Sequence, residues 1–156
     1  MSKVQLIKLS ASKRPYLILA GIAVIGLIDA SYLTYQHYSG LGVICNLSHG
    51  CERVLNSQYA VVAGVPVALL GVIYYLGILL LSVYFLTNSP KPKILLVAGL
   101  AGFLPTLYLF YLQAFVIKAW CQYCLLSAIT STVIFIISVI VFKSSYKKRG
   151  DDESKA

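Results

Sequence analysis

Trp120-Cys121-Gln122-Tyr123-Cys124 opens an apolar run that continues without a charge to Phe142. A stretch of this length, about 20 residues, crosses a bilayer as a helix. Two cysteines three residues apart in the first turn of that helix lie on one face. The amide N–H groups and positive dipole end at a helix start stabilise a thiolate there. The run therefore indicates the fold class, and its first turn indicates the chemistry to look for.

Three more runs of the same kind precede it: Tyr16 to Gln36, Val65 to Leu86 and Ile94 to Ile117. Hydrophobic residues make up 59% of the 156, charged residues only 12%, and mean hydropathy is +0.83. A soluble domain would carry roughly twice that charged fraction. The expectation is an all-α membrane protein: a four-transmembrane-helix bundle over 15–142 between an N-terminal tail, 1–14, and a C-terminal tail, 143–156, disordered at its end. Pro15 suits the start of the first helix. That run is too long for a signal-peptide core and lacks a small-x-small cleavage site, so it is expected to be retained. Pro66 fits the first turn of the second helix, and Pro105 falls inside the third, where membrane helices tolerate it with a kink. Residues 37–64 form the one long connection; Lys118-Ala119-Trp120 is a minimal one.

Charge gives the orientation. The net charge of +8 does not form a single stripe, which argues against nucleic-acid binding. Residues 1–14, 87–93 and 143–156 hold every lysine and arginine except Arg53 and Lys118. The positive-inside rule then puts both termini in the cytoplasm and the connections at 37–64 and 118–121 outside. Cys45, Cys51, Cys121 and Cys124 all fall on that outer side of a cell membrane, where disulfides persist.

Four cysteines on one face allow three pairings. They could staple the long loop, and they could hold zinc, although Cys45-x5-Cys51 is wider than usual zinc spacing. The chemistry that best suits a helix-start Cys-x-x-Cys is thiol–disulfide exchange. A loop disulfide is reachable by a soluble protein, and a membrane-edge dithiol by a lipid-soluble oxidant.

Cys51-Glu-Arg-Val-Leu-Asn-Ser57-Gln-Tyr59-Ala, Gly64-Val-Pro66-Val-Ala-Leu-Leu-Gly71 with Tyr74-Tyr75, and Cys121-Gln-Tyr-Cys124-Leu-Leu-Ser127 together resemble the vitamin K epoxide reductase family in its microbial form. The likeness covers about 15–142. It implies four helices around a quinone of menaquinone or ubiquinone type, with Cys124 as the sulfur beside the ring. It also implies that Cys121 exchanges with a loop pair, Cys45–Cys51, through Cys51, while Cys45 meets the partner. That partner is expected to be a separate, extracytoplasmic thioredoxin-like protein. Ser57 matches the family's loop serine, which supports the quinone and cysteine site. Ala128 stands where animal members carry tyrosine, and Ala63-Gly64-Val65-Pro66 follows the microbial pattern.

Other candidates are less pointed. Asp29 is the only acid within a span, and an intramembrane carboxylate is a functional candidate by default; hydrogen bonding to a neighbouring helix is the other reading. Third-span aromatics serve mostly as an interfacial belt or packing, yet the resemblance places a quinone wall there. Phe103, Tyr108, Tyr111 and Leu112 are expected to form it with Asp29, Ser57 and Cys124. His37 and His49 read as exposed loop residues, and Ala63, Gly64, Ala68 and Gly71 as close helix packing. The expected function is a quinone-dependent thiol–disulfide oxidoreductase that sustains disulfide formation. Quinone or quinone-epoxide reduction as the primary role, and a structural subunit, are the alternatives.

Overall fold

A computed structural model describes residues 3–40, 43, 45, 50–89 and 91–153; His49 lies outside the described residues. Among the described residues, four helices are long and apolar enough to cross a membrane, over Lys13–Ser39, Val67–Thr87, Pro92–Ile117 and Gln122–Lys147. Bilayer hydrocarbon offers no hydrogen-bond partners, so a chain this apolar satisfies its backbone internally, as helices. Lipid-facing positions run the length of each span, with Ile28, Leu80, Val97 and Ile140 all more than half exposed. This is a multi-pass membrane protein.

α1 (Lys3–Ser39) packs on α3 (Val67–Thr87) and on α5 (Gln122–Glu153); α4 (Pro92–Tyr111) packs on α5. The core seam is read at helical spacing. Tyr16, Leu19, Ala23 and Ala30 of α1 meet Tyr75, Ile78 and Phe85 of α3 and Ile134 of α5. Small residues set the approach distance. A Cβ on Gly26 would enter the Tyr75 ring, one on Gly71 would lie 3.3 Å from Ala30 Cβ, and one on Gly99 2.8 Å from Ser138 Oγ. Buried Tyr75 then ties α3 to α5, its hydroxyl 2.7 Å from Thr130 Oγ1 and 2.9 Å from Ser127 Oγ.

Several boundaries differ from expectation. α1 begins at Lys3 and runs through Pro15, and α5 continues to Glu153, so the tails carry on as helix. Extending an existing helix needs no new nucleus, which is the unfavourable step. Gly40, at φ +66°, ends α1 in the left-handed region that glycine enters without strain. Val65–Pro66 is not helical. It forms strand β2, antiparallel to β1 (Val61–Val62), and Pro66 caps α3. Ala63 and Gly64, at φ +52° and +80°, make the two-residue turn, because positive φ at both positions matches the twist of a tight hairpin. Those two small residues serve a turn and not helix packing.

Inserting a methyl at Gly26 should displace Tyr75 and cost about 1–3 kcal/mol, as overpacking does. We expect Gly26→Ala to lower the thermal midpoint in detergent, and the loss to shrink in a Tyr75→Leu background, where the ring is gone.

Candidate functional site

The long connection between α1 and α3 delivers its cysteines by a short helix, α2 (Cys51–Leu55). Cys51 is joined to Cys45 by a disulfide, with Cα atoms 6.2 Å apart. Gly50 precedes it for a steric reason. A Cβ there would lie 2.7 Å from Trp120 O and 2.8 Å from Trp120 N. Only a glycine lets this backbone lie directly on the connection that carries the second cysteine pair.

That connection is built at the end of α4. The helix widens into a π-helical turn, Leu112–Ile117, and Lys118 reverses the chain at φ +52°. Gln113, 4% exposed, holds the reversal together. Its carbonyl oxygen accepts the Ala119 N–H at 3.2 Å, and its side-chain Oε1 accepts the Cys121 N–H at 3.0 Å. Cys121 thereby sits just before α5, and its carbonyl oxygen accepts the Leu125 N–H. Cys124 follows in the first turn. Tyr123, between them, packs on Tyr32 of α1 with ring centroids 5.2 Å apart.

Cys51 and Cys121 are both fully buried and share one apolar cluster with Val54 and Ala119; Cys45 and Cys124 pack against it. All four cysteines are therefore gathered at one end of the bundle. The outer pair is oxidised and the inner pair is a free dithiol. A hydrogen bond from the Cys124 thiol lowers the Cys121 thiol from its ordinary value, aided by the backbone N–H groups of Cys124 and Tyr123. Burial and the negative charge of Asp29 oppose this, and the balance brings Cys121 down to about 7. Thiolate at Cys121 is thus available near neutral pH.

Beside the dithiol lies a cavity of about 920 Å³, open mouth included, walled by α1, α2, the β-hairpin, α3, α4 and the start of α5. Cys124 is the only cysteine that lines it. Asp29, Ser57 and Leu112 line it too, with Ala68, Gly71, Thr106, Phe110, Gln113 and Ser127. Asp29 is 5% exposed, and neither carboxyl oxygen has a hydrogen-bond partner among the described residues. The interhelical hydrogen bond of the alternative reading is thus absent among the described residues. Ser57 donates its hydroxyl to Val54 O at 2.7 Å, which fixes the segment leaving α2. His37 belongs to the last turn of α1, not to the loop, and stands at the cavity rim.

Phe103, Tyr108 and Tyr111 do not line the cavity. Phe103 stacks on Phe135 at 4.6 Å; Tyr108 and Tyr111 are 57% and 55% exposed. The reason is helical phase. Thr106, Leu109, Phe110 and Gln113 occupy the inward face of this span, spaced by three or four residues, and Tyr108 and Tyr111 fall on the lipid side. Sequence reading also passed over Gly50, whose role exists only because Trp120 lies above it. The signal for Gln113 was present: an uncharged amide among apolar residues at a span end.

The profile of the vitamin K epoxide reductase family matches residues 17–139, and the chain belongs to that family. It is also similar to the thiol-disulfide oxidoreductase LTO1 of Arabidopsis thaliana, 32% identical over 123 residues. The match takes in 72% of this chain and 33% of the relative, so the chain spans about a third of that protein's length.

Two measurements check this geometry. Residue-resolved alkylation of Cys121, followed by peptide mass spectrometry, should rise through a midpoint near pH 7, because the thiolate that forms above it is the reactive species. Cys124→Ala removes the largest cause of the lowering and should move the midpoint up by roughly one unit or more. In a Cys45→Ser/Cys124→Ser background, mild oxidation should join Cys51 to Cys121. Adding Gly50→Val should cut that yield severalfold, since the side chain must lift α2 off Trp120; an undiminished yield would dismiss the close-approach role of Gly50.

Proposed function

We propose that this chain, as a member of the vitamin K epoxide reductase family, is a membrane thiol–disulfide oxidoreductase. In this reading it passes electrons from a reduced, extracytoplasmic thioredoxin-like protein through Cys45–Cys51 and Cys121–Cys124 to a quinone, and so sustains disulfide formation. One observation carries it. Cys51 and Cys121 are buried in a shared cluster, while Cys124 alone among the cysteines faces the cavity.

The steps follow from exchange chemistry. A partner thiolate attacks Cys45, releasing Cys51 as a thiolate and leaving the partner joined to Cys45. The partner's second thiol then displaces Cys45, so the partner leaves as a disulfide and the outer pair is a dithiol. Cys51 next attacks Cys121 of the oxidised inner pair and frees Cys124. Cys45 then attacks Cys51, which restores the outer disulfide and leaves the inner pair reduced. Two electrons and two protons have moved from partner to Cys121 and Cys124.

A quinone supplies the two-electron, two-proton acceptor at the end of the path. The cavity suits one: its lining is largely apolar, with a small number of polar groups placed round its wall. Asp29, Ser57, Leu112 and Cys124 would hold the ring, joined by Thr106 and Gln113. The Asp29 carboxyl, buried on this wall and without a hydrogen-bond partner among the described residues, is the group placed to exchange a proton. Thr106 has its hydroxyl engaged with Gly102 O and Ser131 Oγ. Apolar surroundings also exclude water, which keeps the Cys121 thiolate and the Cys124 thiol for each other.

Orientation rests on charge. With the basic tails in the cytoplasm of a plasma-membrane protein, the cysteine cluster opens to the outer face, where oxidised partners are used.

Purified in detergent with a reduced thioredoxin-like protein and a short-chain quinone, Cys124→Ser should lose quinone reduction entirely. Cys45→Ser/Cys51→Ser should lose the protein-driven reaction but keep part of the dithiothreitol-driven one. Asp29→Asn should slow turnover on the order of 100-fold with all thiols still titratable. Full activity in Cys124→Ser, with only thermal stability reduced, would make the cysteines staples and overturn the relay.

A further inference from the structure

The end of the bundle opposite the cysteines carries a second cleft, of about 880 Å³ with its opening included. The first turn of α4 and the last turns of the α5 span enclose it. Lys91 and Lys93 line it from the start of α4 and Ser145 and Tyr146 from the end of the α5 span, with Ile94 and Phe142 as its apolar lining. None of these residues touches the redox site. Among the described side chains no acid lines the cleft; Asp151, Asp152 and Glu153 come later in the sequence of α5.

Depth identifies what this cleft meets. The apolar spans begin at Pro92 and end at Lys147 on this side, so the cleft lies where a bilayer changes from acyl chain to headgroup. Two ammonium groups and two hydroxyls thus share a cleft at headgroup depth with apolar side chains. That apolar lining runs on into lipid-facing surface, with Ile94 47% and Val97 67% exposed. A free phosphate would use the charges and leave the apolar lining unfilled. A zwitterionic lipid brings its own ammonium group against the lysines. We propose that this cleft is a binding site for one anionic phospholipid of the leaflet at the basic end, its phosphodiester held by Lys91 and Lys93 with Ser145 and Tyr146, and its glycerol and first methylenes on Ile94 and Phe142. Basic clefts between membrane helices on the cytoplasmic side suit such headgroups physically. The long lysine stems can lie along apolar surface while the ammonium groups reach the phosphate. The site stands whether or not the redox relay operates, and needs only that the four spans cross the membrane.

The test uses the whole chain, delipidated in detergent and titrated with phosphatidylglycerol or phosphatidylcholine, with bound lipid counted by native mass spectrometry. The wild type should take up one phosphatidylglycerol on the order of tenfold more tightly than phosphatidylcholine. Lys91→Gln/Lys93→Gln should lose that preference while keeping its helical circular dichroism and the Cys45–Cys51 disulfide. Lys143→Gln/Lys147→Gln, which removes two charges from the same end but outside the cleft, should keep it. An equal loss in both pairs would make the attraction diffuse and overturn the site. So would equal uptake of the two lipids by the wild type. Displacement of the lipid by millimolar inorganic phosphate would assign the cleft to free anions and overturn the lipid assignment.

Discussion

The backbone of Gly50 lies on the backbone of Trp120, and most of what distinguishes the site follows from that contact. It is a contact between the two connections at one end of a helical bundle, and the missing side chain at position 50 makes it possible. With α2 seated there, Cys51 enters the same buried cluster as Cys121. A larger residue would lift the loop and draw Cys51 away from the cluster it shares with Cys121. Within that apolar cluster the Cys124 thiol and the backbone N–H groups of Cys124 and Tyr123 bring the Cys121 thiol down to about 7.

Gln113 is the counterpart on the other connection. A π-helical turn followed by a left-handed residue is an uncommon way to leave a membrane helix, and it exposes backbone groups that lipid cannot satisfy. Gln113 satisfies two of them, the Ala119 N–H with its backbone carbonyl and the Cys121 N–H with its side-chain oxygen. By taking the Cys121 N–H it also sets the point at which α5 begins, and so the phase of the Cys-x-x-Cys. Cys121 turns inward to the loop pair and Cys124 toward the cavity. A shift of one residue would rotate the pair by about 100°, which follows from 3.6 residues per turn, and would exchange or lose those two roles.

Asp29 shows why position in the bundle matters more than residue type. In the sequence it was an isolated acid in an apolar run, open to a structural or a functional reading. In the fold its oxygens have no hydrogen-bond partner among the described residues, and it stands on the cavity wall. The aromatic residues went the other way. Phe103, Tyr108 and Tyr111 looked suited to a quinone wall, but α4 turns them to Phe135 or to lipid and presents Thr106, Phe110 and Gln113 inward.

By itself the sequence determined the four spans, the gathering of all four cysteines at one end, and the family. These depend on run length, charge distribution and fixed residue order, each of which is local or additive along the chain. Helix ends were less legible, since Pro15 and Pro66 are compatible with more than one arrangement and the hairpin partner of Val65–Pro66 decides between them. Which side chains face the cavity was decided only by the tertiary structure. A helix that is apolar all round carries no periodic mark of its inner face, so its rotation is set by packing against its neighbours. Here those contacts are Gly26 under Tyr75, Gly99 against Ser138, and Gly50 on Trp120.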